Sequence, residues 1–169
     1  MNSSAGRILI AGVGNLLYGD DAFGSEVARW LAEQSLPDNV RAIDLGIRGF
    51  DLAAALLDHY DVVILVDSLS QCEQPGALRV FDSQRDLTIP SLPPGRRPEW
   101  RSIDPATALN MAHSLGGNLG RVILVGCEPS RSVGSAVLQI GMTEPVQAAV
   151  NDAVCLILSL VAQLNKRAG

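Results

Sequence analysis

Aromatic residues are scarce in this chain. Two Trp, two Tyr and three Phe make up 4% of its 169 residues, too few for a Trp- and Tyr-rich sandwich core. Positive charge is also short: 13 Lys and Arg stand against 18 Asp and Glu, giving a net charge of -5 and a pI near 4.9. That balance argues against nucleic acid or an anionic membrane as a partner. Cys72, Cys127 and Cys155 are odd in number and widely separated, without the paired spacing of a zinc knuckle or a redox CxxC. They read as free thiols of a reducing cytoplasm. The opening "MNSSAGRILIAGVG" holds an apolar run far shorter than a bilayer span and no cleavage-type segment. The closing "AVCLILSLVAQLNKRAG" is apolar for about three turns but carries Ser159 and Gln163 and ends in Lys166 and Arg167, as a core helix does. What remains is abundant Gly, Ala, Val, Leu and Ile with 47% hydrophobic content. It predicts one α/β domain over residues 1–169.

Residues 7–13 form a short, Ile- and Val-rich run closed by glycine, the pattern of a strand buried on both faces. Helical spacing over 23–34, a strand at 40–45, a short helix at 50–57 and the apolar strand "DVVILVDS" at 61–68 follow in alternation. This order predicts a parallel, doubly wound sheet with right-handed crossovers. The next strand, "ALRVFD", is reached after only residues 69–77. A parallel crossover needs about a dozen residues or more, so this strand is expected to run antiparallel at an edge. Residues 83–101 hold four prolines and four arginines, an irregular loop. Asp104 as cap, Pro105 at the first position and "LGG" at the end frame a further helix. "RVILVGCE" is the fifth strand, and 144–165, with Thr143 as N-cap and Pro145 in the first turn, is the last helix.

In parallel sheets the carboxyl ends of the strands share one edge, and ligands sit there where strand order reverses. With strand order 2-1-3, Asp21 and Asp67 face each other across that reversal, and Asp44 ends the second strand, so three acids converge. The stretch "GVGNLLYGDDAFG" (12–24) then has three readings. A nucleotide cradle meets two obstacles. Leu17 stands where GxGxxG needs its third glycine, and Asp20 and Asp21 oppose a pyrophosphate. A metal site uses the acids constructively, since two carboxylates about 4 Å apart repel by ~4 kcal/mol at an effective dielectric of ~20 and call for a cation or a proton. In the plainest reading Asp20 caps the following helix, Asp21 favours its dipole, and Asp67 ends a strand in solvent.

Taken together, "GVGNLLYGDDAFG", "DLGIRGFDLAAALLDHYDVVILVDSL", "QPGALRVF", "IDPATAL", "LGG" and "VGCEPSRSVG" resemble, in order and over essentially the whole chain, the maturation endopeptidases of nickel-iron hydrogenases. The resemblance implies a three-layer α/β/α sandwich with a mixed, mostly parallel five-stranded sheet and one antiparallel edge strand. It also implies cytoplasmic removal of a C-terminal extension from the hydrogenase large-subunit precursor after nickel insertion. Nickel held by that substrate would be the recognition feature. Asp21 and Asp67 match the family's two metal-binding acids, and Asp44 matches a position implied to assist processing. All three are therefore candidate catalytic residues of an aspartyl-type or metal-dependent hydrolase.

The family's third ligand, a histidine three residues before the Asp-Pro, falls on Arg101 in "RSIDP". A permanently charged guanidinium has no lone pair to donate and should weaken binding of a divalent ion. Arg101 either belongs to a solvated cluster with Arg96 and Arg97, or enters the site and forks onto Asp21 or Asp67 as a substrate-binding group. Neither histidine replaces the missing one. His113 lies about 13 Å along its helix from Asp104, and His59 precedes the third strand at its amino end. Cys72 and Cys127 have no histidine placed as base and read as loop or buried thiols. The alternative reading is a non-catalytic homologue that keeps the partner-binding surface and acts as a binding or assembly factor.

Overall fold

Every residue of Ile8–Val13 is buried, as a strand covered by helices on both faces requires. The computed structural model describes residues 6–70, 73–85, 105–117, 120–130 and 139–168. The elements in chain order are β1 (Ile8–Val13), a 3-10 turn (Gly19–Ala22), α1 (Phe23–Ala32), β2 (Val40–Gly46), α2 (Gly49–Leu56), β3 (Val62–Ser68), β4 (Leu78–Asp82), α3 (Pro105–Ser114), β5 (Arg121–Cys127) and α4 (Glu144–Ala168). The five strands form one sheet in the order β2-β1-β3-β5-β4. β1, β2, β3 and β5 run parallel. β4 lies antiparallel on β5 at the edge, as its short connection demands.

Strand alternation divides the core between two faces. Ile8, Ile10, Ile64, Val66, Ile123 and Val125 pack against α1 and α4, whereas Leu9, Ala11, Val63, Leu65, Val122 and Leu124 pack against α2 and α3. The result is the expected three-layer α/β/α sandwich. α4 is long and apolar enough to cross a bilayer, yet Val146, Ala153, Val154, Ile157 and Val161 are buried against the sheet. α3 stops as "LGG" predicts: Gly116 takes φ +85°, and the Gly117 N–H donates to Ala112 O at 2.9 Å, closing the last turn. At the far edge Arg121 forks onto the buried Asp82 and ties β5 to β4. That hydrogen bond, more than burial, sets the titration of Asp82, and its carboxyl is held below the ordinary range.

Candidate functional site

The glycines of "GVGNLLYGDDAFG" serve close packing. A Cβ on Gly24 would stand 2.2 Å from the carbonyl oxygens of both Val13 and Val66, and one on Gly12 would stand 2.1 Å from the Gly24 oxygen. α1 therefore starts directly on top of the crevice between β1 and β3. A Cβ on Gly14 would meet the Asp21 oxygen at 2.1 Å, so the turn folds back onto the acids.

Five amides of this turn are already engaged. Those of Gly14, Asn15, Tyr18 and Gly19 donate to the oxygens of Gly46, Asp21, Asn15 and Gln139, and that of Leu17 donates to Asn15 Oδ1 at 3.0 Å. A phosphate cradle needs such donors unpaired and aimed outward, and the nucleotide reading has no support here.

Asp20 and Asp21, adjacent in sequence, have separate partners. Asp20 does not cap α1, whose N-terminus has no side-chain cap. Its carboxylate instead accepts the Ser130 N–H at 2.8 Å and the Thr143 N–H at 2.7 Å, with the Thr143 hydroxyl at 2.9 Å. The plainest sequence reading is corrected on this point. Asp20 serves the N-terminus of α4, where the helix dipole favours negative charge, and Thr143 is the flanking residue of that helix as expected. The Ser130 and Thr143 hydroxyls lie 2.8 Å apart and complete the cluster.

Asp21 is 3% exposed. Its Oδ2 accepts the Asn15 N–H at 2.9 Å, and its Oδ1 accepts the Ser68 hydroxyl at 3.2 Å. Ser68 is the last residue of β3, directly after Asp67, which is 4% exposed. By strand alternation Asp67 shares the face of Val63 and Leu65, and Ser68 that of Ile64 and Val66. At the β1/β3 reversal a buried carboxylate, Asp67, thus precedes in sequence the residue whose hydroxyl holds another. Asp67 does not end in solvent.

Asp44 lies at the end of β2, on the other side of β1 from Asp67. It pairs with Gly12, while Val66 pairs with Gly12 from the opposite side, so two strand spacings, ~10 Å, separate β2 from β3. The register slips between Gly12 and Val13, and Asp44 Oδ1 turns back to accept the Gly46 N–H at 2.9 Å. Asp44 lines an open pocket of about 260 Å³ with Gly14, Asn15, Leu16, Ile47 and Arg48. Through Asn15 that pocket adjoins Asp21.

Among the described residues no group of three or more His, Cys, Asp and Glu side chains is placed to hold a metal ion. His59 and His113 are exposed, as expected of boundary residues. Cys127 is buried, and burial, with Asp20 and Glu128 nearby, pushes its thiol up to about 12. It is a poor nucleophile at neutral pH. Arg101, Arg96, Arg97, Asp104 and Cys72 lie outside the described residues. Sequence reasoning missed Ser68, Asn15 and the buried Glu128 that follows β5. For Ser68 the signal was its position next to Asp67 on a strand end at the reversal.

The family model "Hydrogenase maturation protease" matches residues 25–160. The coenzyme F420 hydrogenase subunit delta of Methanothermobacter thermautotrophicus is 31% identical, the match covering 90% of this chain and 92% of that protein. The crystal structure of a hydrogenase 2 maturation peptidase from a Thaumarchaeota archaeon is 36% identical with a TM-score of 0.66, over 92% of this chain and 98% of that one. The hydrogenase maturating endopeptidase HybD from E. coli is 26% identical with a TM-score of 0.70, over 93% of each chain.

Proposed function

This chain belongs to the hydrogenase maturation protease family, and from that premise we propose that it is an endopeptidase removing the C-terminal extension of a nickel-iron hydrogenase large-subunit precursor in the cytoplasm, after nickel insertion. One observation carries the reading: two buried carboxylates, Asp21 and Asp67, sit at the carboxyl ends of β1 and β3 where strand order reverses, and Asp21 is held by the hydroxyl of Ser68, the residue that follows Asp67.

Two carboxylates are hard oxygen donors that suit a divalent cation, but two ligands are fewer than a resident ion ordinarily takes. They fit an ion that the substrate already carries and partly ligates. Asp21 is fixed by the Asn15 amide and the Ser68 hydroxyl, so its oxygens are oriented before substrate arrives, and no reorientation is required on binding. In this reading the nickel-bearing end of the precursor docks against Asp21 and Asp67, and the peptide bond beside it is presented for hydrolysis. Discrimination follows from charge. Without a cation the buried pair repels an approaching carbonyl-rich backbone, and with one the same pair attracts it.

Arg101 favours a second reading, a homologue that binds the precursor without cutting it, because arginine offers no lone pair where the family places histidine. The test is incubation of the purified protein with nickel-loaded and nickel-free precursor, with the substrate mass followed over time. Endopeptidase function predicts loss of the extension from the nickel-loaded form alone. Binding of that form with no change in mass supports the assembly factor.

A further inference from the structure

Large apolar side chains stand exposed in the segments that follow β1 and β2. Leu16 and Leu17, in the turn after β1, are 37% and 55% exposed; Ile47 and Phe50, after β2, are 38% and 60% exposed. Leu16 and Ile47 line the pocket of about 260 Å³ that also contains Asp44. Its size falls just below the ~300–1,000 Å³ of small-molecule sites and suits one or two side chains. Clustered exposed apolar residues beside buried acids mark an interaction surface.

Charge in and beside this pocket is uneven. Arg48, on the wall, is drawn toward Asp51 at 3.1 Å, whereas Asp44 contributes a carboxylate to the wall and Asp21 lies one amide away through Asn15. The mouth is apolar at one end and acidic at the other. It complements a segment that is apolar at one residue and cationic a short distance along.

Resting on the proposed function, we infer that this pocket is a specificity subsite for an apolar side chain of the precursor, lying about one to two residues from the position that carries the metal. The spacing follows from the fold. The pocket lies between the ends of β1 and β2, walled by Asn15 and Leu16 on one side and Asp44 and Ile47 on the other. The reversal lies between β1 and β3, one strand spacing (~5 Å) away, which an extended chain covers in about one to two residues at ~3.3 Å each. An extended substrate therefore crosses the carboxyl edge of the sheet, with its metal over Asp21 and Asp67 and an apolar side chain between Leu16 and Ile47. Leu17 and Phe50, each next in the chain to or near a lining residue and more than half exposed, are available to the same substrate segment.

Steady-state processing of nickel-loaded precursor by Ile47→Asp and Phe50→Ser tests this, with Leu158→Ser on the outer face of α4 as control and urea midpoints measured for all. Losing the burial of one large apolar side chain predicts a KM raised ~10- to 100-fold for Ile47→Asp, kcat within about twofold, and no change for Leu158→Ser. If Ile47→Asp lowers the urea midpoint, Leu17→Asp in the exposed turn replaces it, with a KM rise of at least about threefold expected. Unchanged KM in folded rim variants, with the unaltered protein processing normally, overturns the subsite and leaves the endopeptidase reading intact. If the unaltered protein binds precursor without cutting it, Kd replaces KM and the same shifts are required. Absence of both binding and cleavage overturns the proposed function and the subsite together.

Discussion

Replacing Asp20 by alanine should destabilise the protein severely, although Asp20 is the first of two adjacent acids and its neighbour is the one placed at the reversal. The Asp20 carboxylate accepts the backbone amides of Ser130 and Thr143 at 2.8 and 2.7 Å, residues 110 and 123 positions away. It is 9% exposed. Alanine leaves both amides without their acceptor, at ~1–3 kcal/mol each. The Thr143 hydroxyl keeps the Ser130 hydroxyl at 2.8 Å and adds little. The expected loss is ~2–6 kcal/mol out of a typical total of ~5–15 kcal/mol, with a Tm lower by ~4–24 °C for a chain of this size. Asp20→Asn keeps one acceptor oxygen and should lose about half as much. Urea denaturation at pH 7 reads both values from the midpoint at fixed slope. A loss below about 1 kcal/mol for Asp20→Ala would mean that this cluster does not anchor α4, and the reasoning would be refuted.

Gly24→Ala should cost about 3 kcal/mol or more, because its Cβ would press on the Val13 and Val66 carbonyls at 2.2 Å. Gly116→Ala, with open space around it but φ +85°, should cost only ~1 kcal/mol. Equal losses in urea melts would contradict the close-packing argument. Asp82 is held below its ordinary value of 3.8, chiefly by its hydrogen bond from Arg121. Its stabilising contribution is therefore complete above that value and disappears as pH falls through the lower folded one. Asp82→Asn should flatten the stability profile on the acid side of pH 4, and an unchanged acid limb would refute this. Arg101→His should raise nickel affinity by removing a positive charge and adding a donor; isothermal titration showing equal affinity would remove position 101 from the site.

The sequence carried the sheet well because each inference was local or topological. Apolar runs, cap residues and glycine stops lie within a few positions of one another, and the antiparallel edge strand followed from counting the residues before "ALRVF". What it hid was long-range. Asp20 and Asp21 read as a matched pair, yet one carboxylate turns to Ser130 and Thr143 and the other to Asn15 and Ser68. Asp44 sits at the expected strand end, but beside a register slip and with its carboxylate accepting from the Gly46 amide. A linear pattern contains neither the slip nor the bond. The glycines were legible as a turn, while their packing role depends on where α1 crosses β1 and β3.

The central claim is that Asp21 and Asp67 together engage the metal-loaded precursor for cleavage. Its most direct test is the rate at which Asp21→Asn and Asp67→Asn, each shown to be folded, remove the extension from nickel-loaded precursor relative to the unaltered protein. The account predicts a loss of at least ~100-fold in each variant, the order expected when a preorganised electrostatic group is removed. Processing within about threefold of the unaltered rate in either variant would contradict it.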